Sequence, residues 1–406
     1  MKKKIFLIDG LINISAAQIF LFLQKIISDK KDFELFFLSS KNDEAKWPYT
    51  QFPLNLIRIW ENGSYVRNLF TFFKNNKSSV IHFFFELRTF GTLKSAIKVP
   101  LLLYLLKRTN AKIILTLYNP FIFKKENSWQ VIDNIPFNIP TFIMKVLIHL
   151  YVKSICGSSH KIIVENNIVK SGLVEYFDIS SDKIIVINHA VPQDIADLPP
   201  EQQIKQVILT ATREKYHDKF SNKKIILCFG VISPRKGQSN AIRAFKIIED
   251  KLPNHILVIA GRRTPEFQLY EKSLLNTIAE LNLQKKVFFL GEIGEEEVNV
   301  LFEISDIALF PYHPAIYGSG AFSFALQYEK PSIVTSIDTF KEILGDGGGI
   351  FVDPNDDDQL AEAMLKLSTD FKLREEIMDK MKSISKSRSC DIVASKHFEI
   401  YKQILK

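Results

Sequence analysis

Short apolar runs recur along the chain, each followed by a longer stretch with helical spacing, and this alternation constrains the fold more than any other feature. In the first half "IFLID", "FELFFLSS", "VIHFFF", "KIILTL", "KIIVEN" and "KIIVIN" are nearly continuous in apolar residues, as strands buried on both faces of a parallel sheet must be. Helical patterns at roughly 14–28, 91–108, 141–156 and 165–177 separate several of them. The rhythm breaks at "PQDIADLPPEQQ" and restarts after Lys224, where "KIILCFG", "HILVIAG", "KVFFLG", "IALFPY" and "PSIVTS" each lead into a helix. A chain of 406 residues exceeds what one core usually covers. The expectation is α/β: two doubly wound domains, 1–200 and 222–387, joined near 192–222. The last segment, 388–406, reads as one more amphipathic helix, a candidate to pack back on the first domain. Ligands of open parallel sheets bind at the carboxyl ends of the strands, so a cleft between two such domains is the expected active site.

Three widely spaced cysteines, Cys156, Cys228 and Cys390, form no CxxC or Cys/His cluster, which argues against a zinc site or a disulfide framework and for a reducing, cytoplasmic setting. The opening "MKKKIFLIDG" has an apolar part of only four residues before Asp9, so it reads as a first strand and not as a signal peptide. No apolar run approaches the roughly 20 residues that span a bilayer. The net charge of +8 is unevenly spread: residues 51–150 hold 13 basic and 4 acidic side chains. Within that region "LKSAIKVPLLLYLLKR" and "PTFIMKVLIHLYVKSICG" join apolar bulk to cations, with Lys145, His149 and Lys153 on one helical face. Two readings stay open: core helices with a solvated basic face, or a peripheral surface for anionic lipid head groups. Nucleic acid is not expected as a partner, because the Lys and Arg residues are not interleaved in a recognisable motif.

In "CFGVISPRKGQSNAIRAFKII" a strand, a glycine-containing loop and a helix follow one another, with Lys236 and Gly237 at the helix entrance. A Lys beside exposed amides at the positive end of a helix suits phosphate. "PYHPAIYGSGAFSFALQYEKPSIVTS" offers a second such entrance at Gly318-Ser319-Gly320, with no acid between His313 and Tyr328. A capping role accounts for Ser319 alone; phosphate binding by amides and hydroxyl accounts for the glycines too.

Taken in order, "FGVISPRKGQSNAIRAF", "ILVIAGRR", "KVFFLGEIGEEEVNVLFEISDIALFPY", "EKPSIVTS" and "GGGIFVDPNDDDQLAEAMLKL" resemble the retaining glycosyltransferases of family 4. Weaker echoes in the first half are "KIILTLYNP", "SSHKIIVENNIVKSGL" and "DKIIVINHAV". The resemblance implies the GT-B fold, two Rossmann-like domains facing a central cleft, the first for the acceptor and the second for a nucleotide sugar. It implies sugar transfer with retention at the anomeric carbon, with neither metal nor cofactor. By this resemblance Lys236 lies on the donor diphosphate and stabilises the departing nucleotide, with Gly230 and Gly237 in the same loop. The family's Arg after the first glycine is here Val231, so Arg235, Arg262 or Arg263 is expected to supply the cation, Arg235 being adjacent.

The family's Glu-x7-Glu motif, aligned through Lys330-Pro331, falls on Ile316 and Phe324, which leaves Gly318, Ser319 and Gly320 to hold the phosphate. The His that usually follows "LT" is Tyr118, a hydrogen-bonding group but no ready proton carrier at neutral pH. His189 stands where members have His or Asn, and is read as structural or as lining the cleft. Glu86 and Arg88 close an apolar strand and are expected to face the cleft or to pair with each other. Three functions follow: a hexosyltransferase acting on a lipid-linked or polysaccharide acceptor at the cytoplasmic face of a membrane; a nucleotide-sugar-binding pseudoenzyme or partner subunit; or an epimerase of the same fold.

Overall fold

The structure, a computed structural model, describes residues 2–10, 14–41, 55–61, 63–86, 89–90, 93–118, 141–192, 202–314 and 319–406. The chain divides into two compact units, residues 1–192 with 388–406, and 193–387. Each is built around a fully parallel sheet. The first holds β1 (Lys3–Ile8), β2 (Phe33–Ser40), β3 (Leu56–Trp60), β4 (Val80–Phe85), β5 (Lys112–Leu117), β6 (Lys161–Val164) and β7 (Ile184–Val186), in the order β3-β2-β1-β4-β5-β6-β7. The second holds β8 (Lys224–Phe229), β9 (His255–Ala260), β10 (Val287–Gly291), β11 (Ile307–Phe310), β12 (Ser332–Thr335) and β13 (Ile350–Val352), in the order β10-β9-β8-β11-β12-β13. Strand order reverses between β1 and β4 in one sheet and between β8 and β11 in the other. Such switch points open a crevice at the strand ends.

The central strands form because their runs are apolar on both faces: all six residues of β4 are buried, as are all four of β11. The reading of "MKKKIFLIDG" as a first strand and of 14–28 as a helix holds, with the strand at Lys3–Ile8 and the helix at Ile14–Ser28. Residues 91–108, expected as one helix, form two, Leu93–Ala96 and Val99–Leu106, the second with Pro100 in its first turn, where a missing N–H costs no hydrogen bond. Two strands carried no sequence signal. Both β3 and β13 are sheet edges with mostly half-exposed residues, so neither needs a continuous apolar run.

On one face of the first sheet, the helices Ile14–Ser28 and Cys390–Ile404 pack over Ile5, Leu7, Phe84 and Ile114 through Phe20, Leu23, Val393 and Tyr401. The C-terminal helix is thus part of the first unit's core. It is tied there by a buried polar chain: His82 on β4 bonds Tyr401 Oη through Nδ1 and Thr116 Oγ1 on β5 through Nε2, both at 2.7 Å. The stretch read as a linker contains the helix Gln202–Lys219, which lies in the second unit. There Arg213 pairs with Glu303 at 2.8 Å and Tyr216 Oη donates to Glu297 at 2.9 Å. All three cysteines are buried and free. Among the described residues no helix is long and apolar enough to cross a membrane.

Candidate functional site

In the second unit, the loops after β8 and β11 meet at the switch point. Lys236 closes a 3-10 turn, Pro234–Lys236, and Gly237 then starts the helix Gln238–Ile248 in the left-handed conformation, φ +68°. A Cβ at Gly237 would stand 1.9 Å from the Pro311 carbonyl oxygen; only glycine lets the two loops approach so closely. The second fixed approach is at Gly261, φ +145°, where a Cβ would lie 1.7 Å from the Gly230 carbonyl. It locks the β8 loop against the end of β9, where the Gly230 amide donates to the Ala260 carbonyl at 3.0 Å.

Two side chains were not assigned from sequence, and one of them organises this half. Tyr312, just past β11, is buried, and Lys236 Nζ lies over its ring at 3.6 Å from the centroid, a cation–π contact. The Tyr312 hydroxyl is 2.8 Å from Ser319 Oγ. Ser319 in turn caps the helix Gly320–Gln327, accepting from the Phe322 amide at 3.1 Å. One phenol therefore supports both the cation and the capping serine. Burial raises the Tyr312 pKa, so the phenol stays protonated, and either hydroxyl of the pair can donate to the other. Gly320 is exposed with open space above it. The amide end of the helix, the Ser319 hydroxyl and Lys236, all gathered around Tyr312, have the chemistry that suits an anion.

Lys236 is held poorly charged. Desolvation first, and the neighbouring Arg235 second, lower its pKa to about 7, while Cys228 works in the opposite direction. A diphosphate beside it would restore the charge. Arg235 is thus near enough to act with Lys236, and its carbonyl accepts from the His313 amide at 3.0 Å. Arg262 is exposed. Arg263, a sequence candidate for the donor cation, instead pairs with Glu271 at 2.9 Å. At the second acid position Phe324 packs among Phe229 and Phe302, with ring centroids 6.0 and 5.7 Å away. Ile316 and Gly318 lie outside the described residues.

In the first unit, the residues following successive strands gather at the carboxyl edge of the sheet: Asp9 after β1, Glu86 after β4, Tyr118 after β5, Glu165 after β6 and His189 past β7. His189 Nδ1 is 2.6 Å from Glu165 Oε1. Burial lowers the imidazole pKa, but the charge and hydrogen bond of Glu165 more than offset this and raise it overall. Glu165 is the second residue missed in the sequence. Tyr118 stacks on Phe84 and meets the His189 ring edge-on at 6.3 Å. Its hydroxyl is buried without a hydrogen-bond partner, and burial, then Glu165, Asp9 and Glu86, push its pKa well up. It is a buried, protonated phenol near the carboxylates of Glu165, Asp9 and Glu86. The Glu86 amide donates to Thr89 Oγ1 at 2.8 Å; Arg88, its expected companion, lies outside the described residues.

Residues 211–383 match the family described as glycosyl transferases group 1. Among curated proteins the chain is 23% identical over 254 residues to the O-antigen chain mannosyltransferase RfbU of Salmonella typhimurium, covering 62% of this chain and 64% of RfbU. It is 27% identical over 140 residues to the uncharacterized glycosyltransferase YqgM of Bacillus subtilis, 37% of whose length is aligned. The aligned segment therefore spans less than two thirds of either relative. Among solved structures, a glycosyltransferase from Rickettsia africae has a TM-score of 0.72 at 21% identity, covering 100% of this chain and 99% of its own. Anabaena HepE in complex with UDP and glucose has a TM-score of 0.72 at 15% identity, covering 99% and 100%. These likenesses, with the two parallel Rossmann-like sheets, define a GT-B fold whose second unit carries the group 1 glycosyltransferase match.

Proposed function

We propose that the protein is a retaining hexosyltransferase of the family 4 type, moving a sugar from a nucleotide sugar to a lipid-linked or polysaccharide acceptor. The observation that carries the reading is the convergence of Lys236, Ser319 and the Gly320 helix terminus around Tyr312 at the β8/β11 switch point. That arrangement supports diphosphate binding, with Lys236 and Arg235 neutralising charge as the nucleotide leaves. In front-face transfer the leaving phosphate takes the acceptor proton, so no strong protein base, metal or cofactor is required, and Tyr118, Glu86 and the Glu165–His189 pair orient acceptor hydroxyls. The name of the mannosyltransferase relative favours mannose as the first sugar to test. The basic first half supports a cytoplasmic protein held peripherally at the inner face of the cell membrane, where such acceptors are anchored.

Lys236→Ala is expected to lower transfer or donor hydrolysis, measured with a panel of nucleotide sugars, by at least two orders of magnitude while leaving the melting curve intact. Near wild-type turnover in this variant would remove the site assignment. One observation favours a second reading, a nucleotide-sugar-binding pseudoenzyme or partner subunit: an aromatic, Phe324, occupies a position where the family places an acid. Donor binding without turnover on any lipid extract would select it.

A further inference from the structure

The helix Thr141–Ser158 has two apolar stripes where a surface helix of a globular protein has one. Met144, Ile148, Val152 and Ile155 are buried. On the other side Phe142, Val146, Leu147 and Leu150 face outward, Phe142 with 70% of its surface exposed. The helix Val99–Leu106 lies alongside, Tyr151 Oη donating to the Ala96 carbonyl at 2.9 Å just before it, and it too exposes large apolar residues, Leu101 and Tyr104, each by about half. An outward apolar surface of this extent on two neighbouring helices marks an interaction site.

The charges framing it favour one occupant. The helical segments 95–109 and 141–158 carry Lys98, Lys107, Arg108, Lys145 and Lys153 and no acidic residue. On the helical wheel Lys145 borders the outward stripe and Lys153 falls within it, between Phe142 and Val146; Lys153 also reaches Asp178 at 3.3 Å. Arg108 bonds the Tyr104 hydroxyl at 2.7 Å and stacks on its ring at 4.9 Å, an aromatic–cation pair of the kind that sits at head-group level. A second copy seated on the same face by two-fold symmetry would bring like charges together. Anionic head groups complement them, and acyl chains complement the stripe.

We infer that these two helices form a face that inserts shallowly into an anionic bilayer. The inference rests on the membrane location proposed above and not on the transfer chemistry. His149, which the sequence placed on the basic face, takes no part: its ring stacks on Phe177 at 5.6 Å.

The test is co-sedimentation of the full chain with phosphatidylcholine vesicles with and without phosphatidylglycerol. Binding is expected only with the anionic lipid. Val146→Glu with Leu150→Glu should abolish it, and Lys98→Ala and Lys107→Ala should each weaken it roughly fivefold, as one surface charge near anionic lipid implies. Melting curves and donor hydrolysis of these variants should match wild type, so loss of binding is not loss of fold, and failure of the transferase reading appears separately. Equal binding to both vesicle types, no binding to either, or wild-type binding by the Val146→Glu, Leu150→Glu variant would overturn the inference. Concentration-dependent dimers that the same double variant dissolves would assign the face to a second copy instead.

Discussion

Lys236 provides a quantitative test, because its charge in the empty site is lost close to neutral pH. Its pKa is lowered to about 7 by desolvation and by Arg235, whereas an exposed Lys titrates near 10.4. A nucleotide-sugar diphosphate, esterified at both ends, has no proton to lose near neutrality, so the pH dependence of its binding above pH 6 reports the protein. If the donor binds only the ammonium form, about three quarters of sites are ready at about pH 6.5 and about 3% at about pH 8.5. Affinity should then fall roughly 25-fold across that interval, about 2 kcal/mol. The sign is fixed: binding takes up a proton and weakens as pH rises through the empty-site pKa. Calorimetry of a nucleotide sugar in two buffers of different ionisation heat would show both the slope and the proton uptake. Lys236→Arg, whose guanidinium stays charged throughout, should bind with a flat profile. A flat wild-type profile, or a slope that persists in the Arg variant, would refute the claim that a desolvated Lys236 meets the diphosphate.

Two further outcomes bear on the scaffold. Gly261→Ala should cost at least about 2 kcal/mol in denaturant unfolding, through the clash with the Gly230 carbonyl and the positive φ; a loss below about 0.5 kcal/mol would mean that the β8 loop gives way. The buried imidazoles predict acid sensitivity of the first unit: desolvation lowers the His397 pKa to about 4 and lowers His82 well below its usual value. The unfolded chain then binds more protons than the folded one, so stability is fully present above about pH 6.5 and declines as pH falls toward 4, by up to about 3 kcal/mol for His397 alone. His397→Leu should flatten that decline in urea titrations at successive pH values.

The elements and residues that escaped the sequence reading share a physical cause. A strand covered on both faces must be apolar throughout, so β4 and β8 stand out in one dimension, whereas β3 with its exposed Arg58 has no such obligation. Lys236 and Ser319 were legible because a helix entrance states its chemistry locally: a cation beside glycine, a serine that caps. Tyr312 was not, although it lies in the same motif, because its role exists only once β11 pairs with β8 across some eighty residues and brings a phenol beneath Lys236. Glu165 is likewise mute until β6 and β7 adjoin and set it against His189. Arg263 shows the converse. Its place after β9 invites a donor-binding role, and Glu271, one helix entry further on, takes its guanidinium. Local patterns thus announce which loops carry chemistry, but the partners that tune each group come from strands adjacent in space and distant in sequence. Phe324 follows the same logic at the position of the missing acid. Its half-buried ring completes an aromatic layer with Phe229 and Phe302, so Phe324→Glu would set a carboxylate against those rings in place of a ring–ring contact. A carboxylate introduced there would have to be accommodated by the rings that now surround the position.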